Sequence, residues 1–137
     1  MITDDTEMLV TDDIIPFETA KKLDESKCHL TINNCQCVGT YDTNGRLYGD
    51  FTTKQYPCPT VWNTIKFFRK LFGIDIIIGM VNHSTVYMDG GRYWFKVFHH
   101  GGWKSIDADK AYREPEEAAI AGIDWVLDNL LKKEEKV

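Results

Sequence analysis

Three groups of residues in this chain carry side chains able to do chemistry: four cysteines, two adjacent histidines and a run of alternating cations and aromatics. Cys28, Cys35, Cys37 and Cys58 are potential soft-metal ligands, and His29 adjoins Cys28. Structural zinc uses C-x₂₋₄-C knuckles with a second matching pair. Here Cys35-Gln36-Cys37 is a C-x-C pair without a matching second pair. On a strand, positions 35 and 37 share one face, where small apolar thiols suit a core. The four cysteines are therefore expected to be core thiols, with no metal. His99-His100-Gly101-Gly102-Trp103 offers imidazoles beside a glycine-rich break, with Asp107 or Asp109 as partners for acid–base or metal chemistry. Adjacent residues at a strand end point to opposite faces, which argues against a shared ion and for surface histidines.

Arg92, Trp94, Lys96 and Phe98 fall on one face of a strand. That pattern suits single-stranded nucleic acid, whose bases stack on aromatics while cations follow phosphate. Lys66, Arg69 and Lys70 would extend the basic surface. Against this, the run lacks the glycine-aromatic pattern of an RRM strand, and the body of the chain has no basic excess. Nothing matches a phosphate-binding loop, a nucleophile elbow or an H-E-x-x-H helix. Asp89-Gly90-Gly91 precedes a strand and not a helix, so it reads as a turn. With no clustered nucleophile, base and orienting group, neither an enzyme nor a cofactor is expected.

The 137 residues fit one domain with a core of its own, and the composition excludes collagen, coiled coil and wholesale disorder. No apolar run is long enough to span a bilayer. The net charge of −5 is concentrated in residues 1–13, where Asp4, Asp5, Glu7, Asp12 and Asp13 face no base. This segment is expected to be a solvated acidic arm, 14–131 the domain, and 132–137 a charged tail. An acidic start is unlike a signal peptide, so a cytoplasmic, reducing setting is expected.

The elements that would position these residues follow from pattern. A short helix spans Pro16 to Ser26, with Phe17, Ala20 and Leu23 as its apolar stripe. Cys28–Asn33 has the alternation of a strand. Cys35–Tyr41 and Arg46–Thr52 flank Asp42-Thr43-Asn44-Gly45, and Asn-Gly is a strong hairpin signal. Thr60 caps a helix that Gly73 ends, with Val61, Ile65, Phe68 and Phe72 at helical spacing. Trp62, Phe67 and Leu71 widen its apolar face. Ile74–Val81 reads as a central strand and Arg92–His99 as its partner, followed by a polar loop. The last helix starts at Pro115 and buries Ala119, Ile123, Val126 and Leu130. The expected fold is α+β: an antiparallel sheet built on residues 35–52 and 74–99, with helices 60–72 and 115–131 packed on it.

Four blocks resemble a family of small uncharacterised proteins of Bacteroides phages and prophages. They are Pro16-Phe17-Glu18-Thr19-Ala20-Lys21-Lys22-Leu23; Tyr41-Asp42-Thr43-Asn44-Gly45-Arg46-Leu47-Tyr48; Pro57-Cys58-Pro59-Thr60 through Lys66-Phe67-Phe68-Arg69-Lys70 to Ile74-Asp75-Ile76; and Glu116-Glu117-Ala118-Ala119 through Leu130. Phe67 stands where that family usually has Trp, and His29–Gln36 looks like extra sequence before the hairpin. The resemblance implies a phage or prophage origin and a small α+β domain, and it implies no activity.

Seventeen aromatic residues are many for one small core. Trp62, Phe67, Trp94, Phe98 and Trp103 are the candidates for a surface that binds protein, because exposed aromatics mark contact sites. A homodimer is the simplest use of such a surface, and a host protein is the related partner. Single-stranded nucleic acid is the rival, with Lys66, Arg69, Lys70, Arg92 and Lys96 as contacts.

Overall fold

The computed structural model describes residues 14–29, 35, 37–48, 56–80, 91–106 and 111–132. The acidic arm, Asp107, Asp109 and all of the charged tail but Lys132 lie outside them. The element order is α1 (Phe17–Asp24), β1 (Cys37–Tyr41), β2 (Leu47–Tyr48), β3 (Tyr56–Pro59), α2 (Val61–Phe72), β4 (Ile74–Met80), β5 (Tyr93–His99), β6 (Gly102–Ile106) and α3 (Pro115–Asn129). The fold is α+β, and every described strand pair is antiparallel. The strands divide into two three-stranded sheets, β2-β1-β3 and β4-β5-β6, where the sequence suggested one. The core nevertheless joins both sheets and all three helices in one cluster, including Leu23, Tyr41, Cys58, Phe68, Ile76, Phe95, Val97, Ile123 and Val126.

Helix α2 is the clearest case of local sequence setting local structure. The Thr60 hydroxyl accepts from the Asn63 N–H at 3.1 Å, which satisfies one of the unpaired donors of the first turn. Gly73 ends the helix at φ 65°, a left-handed conformation that favours glycine. Between these caps Val61, Thr64, Ile65, Phe67 and Phe68 turn inward. Complete burial of Phe68 contributes about 1.5–3 kcal/mol. In α1, Pro16 takes the capping position just outside the helix. Glu116 and Glu117 stand in the first turn of α3, behind Pro115, where the helix dipole favours acids.

The hairpin at Asp42–Gly45 forms, but only Gly45 among its residues has a positive φ, of 85°. The Asp42 carboxylate accepts from the N–H groups of Asn44 and Arg46, both at 2.9 Å, so acid and glycine divide the work of the turn. Beyond it β2 is described at Leu47–Tyr48, and the expected continuation over 49–52 lies outside the described residues.

Three expectations need correction. Cys28 and His29 lie in a turn after α1, not in a strand, and residues 30–33 lie outside the described set. Among the described residues of the second sheet, β4 is at an edge and β5 in the middle, although β4 has the isoleucine-rich sequence of a central strand. The expected polar loop after His100 is strand β6, reached through a two-residue turn in which His100 (φ 53°) and Gly101 (φ 77°) are both left-handed. That conformation matches the twist of a hairpin, so His-Gly does here what Asn-Gly does elsewhere.

Candidate functional site

The β4-β5-β6 sheet has one face on the core and the other turned outward. Phe95 and Val97 of β5, with Ile76 of β4, point inward, and Gly122 of α3 lies against Ile76 and Phe95. Alternation then sends Trp94, Lys96 and Phe98 to the outer face. Register adds their neighbours: Asp75 opposite Phe98, Ile77 opposite Lys96, and Gly79 opposite Trp94. On the far side, a register shift between Val97 and Phe98 pairs Phe98 with Trp103.

These side chains make a connected platform. The Lys96 ammonium sits 4.7 Å from the ring of Trp94 and 5.6 Å from that of Trp103. Phe98 meets Trp103 edge-to-face at 5.2 Å. A cation over an exposed ring is worth about 0.5–1 kcal/mol, so Lys96 also holds the two indoles in place. Trp103 is 49% exposed and Ile77 41%, and Trp94 and Phe98 are half-buried. Gly79 completes the surface: it offers the indole of Trp94 a place to lie where any side chain would stand.

The other predicted surface residues are not on this platform. Arg92 is exposed just before β5. Trp62, 42% exposed, is on α2 together with exposed Lys66, Arg69 and Lys70. Phe67 is only 5% exposed and belongs to the core, where it meets Phe68 and Phe72. It is thus removed from the candidate surface, because α2 is wide enough in its apolar face to bury both adjacent phenylalanines. Lys66, Arg69 and Lys70 are exposed on α2, whereas Lys96 is on β5.

The histidines also differ from expectation. The rings of His99 and His100 lie side by side, with centroids 3.6 Å apart. The left-handed backbone at His100 undoes the strand alternation that would separate them. Among the described residues, no group of three or more His, Cys, Asp or Glu is placed to hold a metal ion. No helix among them is long and apolar enough to cross a membrane.

The thiols separate into two kinds. Cys28 and Cys58 are fully buried, and burial pushes them up to about 11 and about 12. Cys35 is buried and its thiol donates to the Asn63 carbonyl at 3.8 Å, while the thiol of half-buried Cys37 donates to the Cys35 carbonyl at 3.4 Å. No family model, curated protein or solved structure matches the chain.

Alternation in the sequence puts Trp94, Lys96 and Phe98 on one strand face, whereas Trp103, expected in a loop, joins them through β6. Ile77 and Gly79 were not anticipated. The unbroken run Ile76-Ile77-Ile78 hides a strand with one covered and one open face, and only its pairing with β5 reveals which is which.

Proposed function

We propose that the chain works by non-covalent binding, without a catalytic step, through the outer face of the β4-β5-β6 sheet. The carrying observation is the platform of Trp94, Lys96, Phe98 and Trp103 beside Ile77. Aromatic-rich surfaces with few charges have the composition of an interface centre, where rigid rings bury much area at small entropic cost. The occupant is a second copy of the chain. Among the described side chains of this face, the cation Lys96 and the anion Asp75 stand on adjacent strands, and pairing one with the other about a two-fold axis would suit a second copy. A cytoplasmic setting and a phage or prophage origin accompany this reading, the latter supported by the four resembling blocks alone; in that setting a host protein is the other candidate partner.

Stacked bases of single-stranded nucleic acid are the rival occupant, favoured by Lys96 lying between two indoles. Asp75 on the same face weighs against it, since an anion there repels the phosphate track. Sedimentation of the purified chain over a range of concentrations, with and without a single-stranded oligonucleotide, tests the reading. A concentration-dependent dimer indifferent to the oligonucleotide is expected. A monomer that binds the oligonucleotide with a steep salt dependence would overturn it.

A further inference from the structure

We propose that the exposed face of α2 is a docking site for an acidic peptide, and that its occupant is the chain's own N-terminal segment, residues 1–13. Trp62, Lys66, Arg69 and Lys70 are all exposed. Counted from Trp62 they stand at i, i+4, i+7 and i+8, the spacing that gathers residues on one side of a helix. The result is a stripe of three cations with an indole at one end. Helix α2 contains no acid, so no neighbour a turn away neutralises the stripe. Among the described residues the ion pairs are those of Lys22 with Asp124 and Asp128 and of His29 with Asp24, and none reaches Lys66, Arg69 or Lys70. Like charges a turn apart repel one another, so an anion laid along them is favoured.

The start of the domain delivers such an anion. Ile14 and Ile15 are buried, Ile14 bridges Thr60 antiparallel, and the Ile15 N–H donates to the Pro59 carbonyl. Antiparallel pairing directs the chain before Ile14 past Thr60, the residue that caps α2. Trp62 follows two residues later. Residues 1–13 carry Asp4, Asp5, Glu7, Asp12 and Asp13 and no base, so their charge is complementary to the stripe. Reach is ample. From Thr60 to Lys70 the helix rises ~15 Å, which about five extended residues cover at ~3.3 Å each. Glu7 and Asp5 can therefore come to Arg69 and Lys70 while Asp12 and Asp13 stay beside the first turn. Anchoring at Ile14 holds the segment at an effective concentration of roughly millimolar, so that pairs individually weak at the surface act together. The stripe is on α2 and the aromatic platform on β4-β5-β6, so this docking stands independently of the dimer.

Carbodiimide treatment of the full chain, which condenses a carboxylate with a neighbouring lysine amine, tests the docking. Expected are amide links from residues 1–13 to Lys66 or Lys70 within one chain, suppressed in ~1 M salt, where the screening length is about 3 Å. Mixing isotope-labelled with unlabelled chains tells links within a chain from links between two. Arg69→Gln leaves both lysines in place and is expected to lower the yield roughly twofold. The indole N–H resonance of Trp62, assigned with Trp62→Phe, gives a second readout. Replacing the five acids of the segment by their amides is expected to shift it and to leave those of Trp94 and Trp103 in place. Links spread evenly over lysines elsewhere, Lys132 and Lys133 included, would overturn the proposal. So would links between chains, which would make the occupant a second copy. A Trp62 resonance indifferent to the five substitutions would overturn it as well, and would leave the stripe to a separate anionic partner.

Discussion

Trp94 lies across Gly79. The two are partners in the β4–β5 ladder, and a Cβ on Gly79 would overlap the benzene half of the indole. The outer face therefore depends on an absent side chain as much as on its aromatics. Gly79→Ala is expected to rotate Trp94 off the sheet and away from Lys96, with a stability loss of ~1–3 kcal/mol at most, as in other overpacked sites. Near-UV circular dichroism of the indoles checks the rotation, and urea unfolding checks the loss.

On the opposite face, Gly122 stands in the middle of α3. Alanine there would gain about 1 kcal/mol in helix propensity. Its Cβ would, however, lie 2.7 Å from Ile76 Cγ2 and 3.3 Å from the Phe95 ring, and both neighbours are buried. Neither can retreat into solvent, so the packing term of ~1–3 kcal/mol outweighs the gain. Gly122→Ala is expected to lower the urea midpoint without changing the slope.

Legibility in the sequence followed how local each determinant is. The caps of α2 at Thr60 and Gly73 and the Pro115 start of α3 are written in one or two residues, and each formed as read. The two faces of β5 were separable, because Tyr93 to His99 alternates, but with aromatics on both, the sequence left open which face the core covers. What escaped depended on partners distant in the chain. The split into two sheets, the edge position of β4 and the burial of Phe67 follow from which elements meet. The hairpin at His100-Gly101 was local but hidden, since histidine seldom adopts a left-handed conformation.

That hairpin supplies a paired test. Gly101 and Gly102 both have open space where an alanine methyl group would stand, yet only Gly101 has a positive φ. Gly101→Ala is expected to destabilise by ~1–2 kcal/mol through backbone strain alone. Gly102→Ala should stay within ~0.5 kcal/mol of the parent. Equal effects in thermal unfolding would contradict the left-handed turn.

Asp124 links α3 to α1. Its carboxylate accepts from the Thr19 hydroxyl at 2.8 Å and faces Lys22 at 3.7 Å. Burial raises it above the ordinary value of 3.8, more than Thr19 and Lys22 lower it. The folded chain therefore holds this proton to higher pH than the unfolded chain does. The contribution of Asp124 to stability falls as pH rises from its ordinary value through its raised one. Asp124→Asn keeps an acceptor for Thr19 and removes the titration. Its unfolding free energy is expected to lose that downward slope, measured from pH 3 to 7 (about the range in which carboxylates titrate).

Trp103 is the most informative single site on the proposed interface. It is 49% exposed, so truncation leaves the core untouched, and the fold should survive Trp103→Ala with a loss within ~1 kcal/mol. Its indole nonetheless meets both Phe98 and the Lys96 ammonium, so truncation removes two of the contacts that join the platform. Anchoring aromatics of an interface carry binding energies of ~2 kcal/mol or more, so dimer affinity should weaken by at least roughly tenfold. Lys96→Met separates the two occupants further. It keeps an apolar stem between the indoles but removes the charge, so a protein interface should tolerate it. A nucleic-acid surface would lose affinity and about one unit of its salt slope. Dimerisation that survives Trp103→Ala unchanged would move the interface away from this sheet altogether.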